Sequence, residues 1–159
     1  MQDDVLATVQ ASAPRRYTGV GMLVVVGALV IYVALASPPQ LGWQVFLLAV
    51  GGTAFWLARR MWVATQDVLE LTQSQLRSQS GDVICEVADI ESIDRGVFAF
   101  KPSNGFLVLT RTRGRNRWEP GVWWRVGRRI GIGGMTAASE AKFMSEVLAT
   151  LLVQKGNVR

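Results

Sequence analysis

Arginine and tryptophan are the side chains whose type and spacing here suggest chemistry. Between residues 111 and 129, seven arginines (Arg111, Arg113, Arg115, Arg117, Arg125, Arg128 and Arg129) stand against one acid, Glu119, with Trp118, Trp123 and Trp124 among them. A guanidinium is a planar, permanently charged fork that matches phosphate or carboxylate oxygens, and an indole adds a large flat apolar contact. The chemistry implied is recognition, of an anion or of a partner surface. In an extended strand Arg111 and Arg113 share a face, with Arg115 and Arg117 near a turn, whereas Trp123 and Trp124 point to opposite faces. At most one of that Trp pair can therefore fill a core, and the other is left to cap its edge, to sit at the membrane interface, to stack on an arginine or to anchor a partner. The opposite charge lies upstream. Asp67, Glu70, Asp82, Glu86, Asp89, Glu91 and Asp94 face only Arg77 in their stretch. Two readings stay open: a basic patch for anionic head groups or an acidic partner, or a solvated hairpin that pairs with the chain's own acids.

Other chemistries are excluded or unsupported. The 159 residues include no histidine and a single cysteine, Cys85, which removes His-Cys zinc sites, Ser-His-Asp and Cys-His catalysis, and any internal disulfide. Cys85 sits between Ile84 and Glu86 in an alternating segment and reads as a small half-buried hydrophobe. Asp89, Glu91 and Asp94 cluster in sequence, but no nucleophile, phosphate loop or metal-ligand spacing accompanies them. The run Gly131-Ile132-Gly133-Gly134-Met135-Thr136 lacks the third glycine of a dinucleotide loop and is followed by too little chain for a βαβ unit; its glycines read as a strand-to-helix turn. No catalytic residue, cofactor or metal is expected, and nucleic acid is not an expected partner.

The elements that position these residues begin with a membrane anchor. From Tyr17 to Ala58 there are 42 consecutive residues without Asp, Glu, Lys or Arg. Ser37-Pro38-Pro39-Gln40 divides them, and each side is long enough at about 1.5 Å per residue to cross a hydrocarbon core about 30 Å thick. The expected order is an N-terminal tail at 1–16, a first span at 17–36, a short loop at 37–40 and a second span at 41–62. A signal peptide competes for the first segment, because Ala34-Leu35-Ala36 resembles a cleavage site, but the apolar run exceeds the usual length. Arg15-Arg16 before the first span and Arg59-Arg60 after the second put both termini on the cytoplasmic side by the positive-inside rule. Gly27, Ala49, Gly51, Gly52, Thr53 and Ala54 allow close helix approach, between the two spans or to a partner helix.

Beyond Ala64 short alternating segments replace the helical period, so a domain is expected at 66–154 with a tail at 155–159. Val68–Leu71, Leu76–Ser78 and Val83–Val87 read as strands. Val97–Phe100 and Phe106–Thr110 face each other across an Asn104-Gly105 turn, and Val122–Val126 and Arg129–Ile132 close the series. Thr136 or Ser139 is the expected cap of a helix over Ala138–Gln154, whose Ala141, Met144, Leu148, Leu151 and Leu152 form one apolar face. The fold class is α+β: a transmembrane helical hairpin, then a small antiparallel, curled β domain closed by an amphipathic C-terminal helix.

The run Val68-Leu69-Glu70-Leu71-Thr72, then Leu76-Arg77, a turn at Gly81, Val83–Val87 and Asp89-Ile90-Glu91-Ser92-Ile93 resembles the opening of bacterial pleckstrin-homology-like domains, which often follow one or two membrane helices. The stretches Phe100–Phe106 and Pro120–Arg125 also resemble two-span membrane proteins of alphaproteobacteria. The resemblance implies a PH-like fold whose ligands are lipids, peptides or proteins. The expectation is a non-enzymatic protein of the bacterial inner membrane, an accessory subunit or assembly factor for a membrane protein complex. The alternative is a module that binds anionic phospholipid through the Arg/Trp patch.

Overall fold

The computed structural model describes residues 4–37, 39–94, 96 and 102–156. The expected strand Val97–Phe100 and the last residues of the expected tail, 157–159, lie outside them. The chain divides into two compact units, one running Ala13–Val63 and the other gathering Met1–Ser12 with Ala64–Arg159.

The first unit is a pair of helices, α1 (Ala13–Ala36) and α2 (Leu41–Ala64), both long and apolar enough to cross a membrane. α1 exceeds the expected first span by Ala13–Arg16, because Arg15 and Arg16 are helical too, and α2 exceeds the second by Val63 and Ala64. Each presents large apolar side chains outward along its length, among them Met22, Leu29, Val33, Trp43 and Phe46, which in water would be unfavourable and in lipid is not. The helices touch where side chains are smallest. A Cβ on Gly51 would lie 2.5 Å from Ile31 Cγ1, and one on Gly27 would lie 3.3 Å from Ala54 Cβ. Gly27, Gly51 and Ala54 therefore serve the hairpin's own packing; Ala49, Gly52 and Thr53 point outward. Near the connection Gln44 Nε2 donates to Ala34 O at 3.1 Å. At the other end the Arg16 guanidinium lies 5.0 Å from the Trp62 ring centroid.

The second unit is α+β and contains a strand that the sequence pattern did not yield. Residues expected as tail form β1 (Val5–Gln10), which pairs antiparallel with β2 (Val68–Thr72) in the register Gln10↔Val68 through Val5↔Thr72. The chain thus leaves the sheet at Gln10 and returns directly opposite at Val68, with both apolar helices inserted where a hairpin turn would stand. Val9 and Ala7 point into the core beside Leu69 and Leu71, and the extra residue Leu6 is accommodated as a bulge. β3 (Gln75–Ser78) and β4 (Val83–Glu86) complete a four-stranded sheet in the order β1-β2-β3-β4.

A single 3-10 turn at Val87–Asp89 ends that ladder. The chain then builds a second sheet from β5 (Ile90–Asp94), β6 (Phe106–Thr110), β7 (Arg117–Glu119), β8 (Trp123–Val126) and β9 (Arg129–Ile132), in the order β5-β6-β9-β8-β7. Two open sheets therefore replace the one curled sheet expected. The partner of β6 on one side is β5, whose Ile90 and Ile93 face inward, and on the other β9. Asn104 takes the left-handed conformation expected of an Asn-Gly turn, with φ 56°.

Helix α3 (Ala138–Gln154) closes the core with Ala141, Met144, Leu148 and Leu152 fully or almost fully buried. Its N-cap is Ala137, without a side-chain hydrogen bond, rather than Thr136 or Ser139. Thr136 is buried and bridges to Ala11 instead, so its backbone serves strand pairing where a cap was expected.

Candidate docking surface and arginine cleft

The two faces of the β7–β8 hairpin carry different chemistry, and two-residue alternation explains why. On the inner face Trp123, Arg125, Ile130, Ile132, Phe106 and Val108 align through direct cross-strand pairs. Trp123 is buried in the core at 6% exposure. On the outer face the row Trp118–Trp124–Gly131–Leu107 runs across four strands, with Val126–Arg129–Leu109 beside it. Trp118 is 48% exposed and Val126 59%, while Trp124 and both leucines are half-buried. Gly131 makes the row possible. A Cβ there would lie 2.4 Å from Trp124 Cε2, so the indole lies flat over the glycine. A depression of about 450 Å³ opens on this side, lined by Asn116, Arg117, Trp118, Trp124, Arg125 and Val126.

The arginines separate into groups. Arg117 is held by Asp82 at 2.8 Å and by Glu119 at 2.9 Å, and its guanidinium lies 5.6 Å from the centroid of Trp123. Glu119 first and Asp82 second raise it above its ordinary pKa. Arg128 reaches Glu91 and donates from Nε to Thr110 O at 2.7 Å. Arg125 turns inward and donates to Ile84 O of β4, joining the second sheet to the edge of the first. Its remaining contacts are Gly127 O at 3.3 Å, Thr112 O at 3.4 Å and Thr110 Oγ1 at 3.5 Å. Gly114 leaves room for it, since a Cβ at that position would lie 2.2 Å from Arg125 Cζ. Arg111, Arg113, Arg115 and Arg129 are exposed; the first three lie on the loop between β6 and β7 rather than in a strand.

Pairing with the chain's own acids thus accounts for Arg117 and Arg128, while Arg113 and Arg115 stand exposed on the β6–β7 loop and Arg129 on the outer face of β9. The acids of the Asp89–Asp94 stretch are spent separately. Asp89 accepts from Thr112 N at 3.0 Å and Thr112 Oγ1 at 2.6 Å, Glu91 meets Arg128, and Asp94 accepts from Gly96 N at 2.8 Å. Among the described residues no group of three His, Cys, Asp or Glu is placed to hold a metal ion. Cys85 is buried in the core, and burial pushes its thiol pKa from 9.0 up to about 12, Arg125 opposing the rise.

Three contributors lay outside the sequence reading. Asp82, one acid of the upstream stretch in sequence, pairs with Arg117 across the two sheets. Asn116 Oδ1 accepts from Gly127 N at 2.9 Å and fastens the loop to the β8–β9 turn. Val126 extends the outer aromatic row, a position legible from its two-residue spacing to Trp124. Comparison with family models, curated proteins and solved structures gives no match.

Proposed function

We propose that this chain is a non-catalytic, integral protein of the bacterial inner membrane that serves as an accessory subunit or assembly factor for a membrane protein complex. The hairpin α1–α2 is its anchor, and the outer face of the second sheet is its docking surface. The observation that carries this reading is the row Trp118, Trp124 and Val126, which leaves apolar and aromatic area open to solvent outside the closed core. Such area gains from being covered, and Trp with flanking Arg is the composition of interface anchors. The adjacency of Gln10 and Val68 supports a hairpin whose two ends emerge on one side, and the paired arginines at those ends support the cytoplasmic side. The two antiparallel sheets with a closing helix support a pleckstrin-like domain, whose ligands would be proteins, peptides or lipids.

Affinity purification of the full-length protein in mild detergent, followed by mass spectrometry, tests this. A stoichiometric membrane protein is expected with the wild type and with Arg113→Gln, and is lost with Trp118→Ser combined with Val126→Ser. Recovery of the wild type alone would overturn the proposal. A second reading, attachment to anionic phospholipid, is favoured by the exposed Arg111, Arg113 and Arg115 on one loop, each contributing about 1 kcal/mol near an anionic leaflet. It predicts that reversing those three charges releases the protein's hold on anionic lipid while the protein partner survives.

A further inference from the structure

We propose that the cleft between β4 and the inner face of the β7–β8 hairpin is a binding site for a phosphate-class anion. The cleft shares Asn116, Arg117 and Arg125 with the outer depression but is completed by Val83 and Ile84 of β4, and the proposal does not rest on the docking role assigned to the outer face. The cleft is a half-open depression of about 380 Å³, lined by Val83, Ile84, Arg115, Asn116, Arg117, Trp123 and Arg125. Three of those seven side chains are arginines, brought together from the β6–β7 loop, β7 and β8.

Two features favour a negative charge in the cleft. Arg117 and Arg125 are direct cross-strand partners, and like charges placed opposite each other in an antiparallel pair repel. Arg117 has carboxylates of its own, but Arg125 does not. Its half-buried guanidinium is held only by neutral acceptors, the carbonyls of Ile84, Thr112 and Gly127 and the hydroxyl of Thr110. Among the described residues no carboxylate lies within ion-pair distance of it. Removing a charge from water without a counter-charge is costly, and an anion in the cleft would supply one. Arg115 stands at the rim, exposed and without an ion pair among the described residues, so its fork is available to a guest.

The free fork of Arg115, with the positive charges of Arg117 and Arg125 beside it, suits an anion with oxygens pointing in more than two directions, as a phosphate has. Asp82 already occupies one side of Arg117, in a pair whose partners are 45% and 53% exposed. Its carboxylate competes with a guest for the same fork. The phosphate can come from a soluble phosphate compound or from a phospholipid head group, and the chemistry of the cleft is common to both.

The test uses the full-length protein in two settings at fixed chloride ionic strength: in detergent micelles titrated with inorganic pyrophosphate, and in nanodiscs of phosphatidylcholine with or without phosphatidylglycerol. Thermal melting reads anion binding in both, because a ligand of the folded state raises the midpoint. The expected result is a rise with pyrophosphate, or with phosphatidylglycerol alone if the source is the bilayer. Losing one charge-assisted contact weakens binding about tenfold or more in Arg115→Gln. Arg129→Gln, on the opposite face, leaves the affinity unchanged. Asp82→Asn binds about two- to fivefold tighter, since it frees the Arg117 fork from an exposed ion pair. A gain of binding cannot come from a damaged fold, so this variant separates a site from a scaffold. No rise in either setting, or equal rises in wild type, Arg115→Gln and Asp82→Asn, would overturn the assignment.

Discussion

At the scale of single residues, the second sheet depends on two glycines that carry no function themselves. Trp124 can lie flat on the outer face only because Gly131 beneath it has no side chain, and Arg125 can cross to β4 only because Gly114 gives way. Gly131→Ala is expected to lift the indole and cost about 1–3 kcal/mol, the usual penalty for overpacking. A lower denaturant midpoint and a shifted tryptophan emission would report it. Cys85 gives a prediction in pH. Burial raises its folded-state pKa from 9.0 to about 12, so the folded chain holds the thiol proton more tightly than the unfolded chain. The associated stability is fully present below pH 9 and is lost as the pH rises toward 12. Urea melts at stepped alkaline pH should show that decline for the wild type and a flatter profile for Cys85→Ala.

At the scale of elements, β1 changes what counts as the domain. Because β1 supplies Val9 and Ala7 to the core and pairs along all of β2, residues 62–156 alone lack an outer strand of the first sheet. That fragment is expected to melt without a cooperative transition. A variant in which a short Gly-Ser linker replaces residues 13–64 should fold as a soluble domain, because Gln10 and Val68 already stand opposite each other. Circular dichroism melts of the two compare them directly. In the hairpin, Gly51→Val sets a branched Cβ against Ile31 and should lower the thermal midpoint in detergent by several degrees. Much of this architecture was legible in the sequence. The α3 boundaries, the two long apolar helices, and strands β2, β3, β4, β6, β8 and β9 follow from periodicity and turn residues. β1 was hidden because its partner lies beyond two helices, and no local pattern reports so distant a pairing. β7 was hidden because Arg117-Trp118-Glu119 is only three residues long with a single apolar side chain. Of the site, the opposite fates of Trp123 and Trp124 were legible by parity. The inward turn of Arg125 follows from the same parity with Trp123, but its charge argued for solvent, and only the carbonyls of β4 and the loop explain why it stays.

At the scale of the whole molecule, two helices long and apolar enough to cross a membrane are inserted between the paired strands β1 and β2. Both ends of the apolar segment join adjacent strands, so the N-terminus and the β domain are expected on one side of the bilayer. Green fluorescent protein fused to either terminus should fluoresce in the cytoplasm, whereas insertion of the same reporter near position 39 should stay dark. A split result, with one terminus dark, would mean that a single helix crosses. The docking role makes a sharper demand, because it assigns one face of one sheet to a partner. The most direct measurement is site-specific photo-crosslinking in intact membranes, with the reactive side chain at position 118 on the outer face of the second sheet or at position 83 on the edge of the first. A stoichiometric adduct with one membrane protein from position 118, and none from position 83, is the predicted result. Adducts only with lipid from position 118, or the same adducts from both positions, would contradict a docking surface at the Trp118–Trp124–Val126 row.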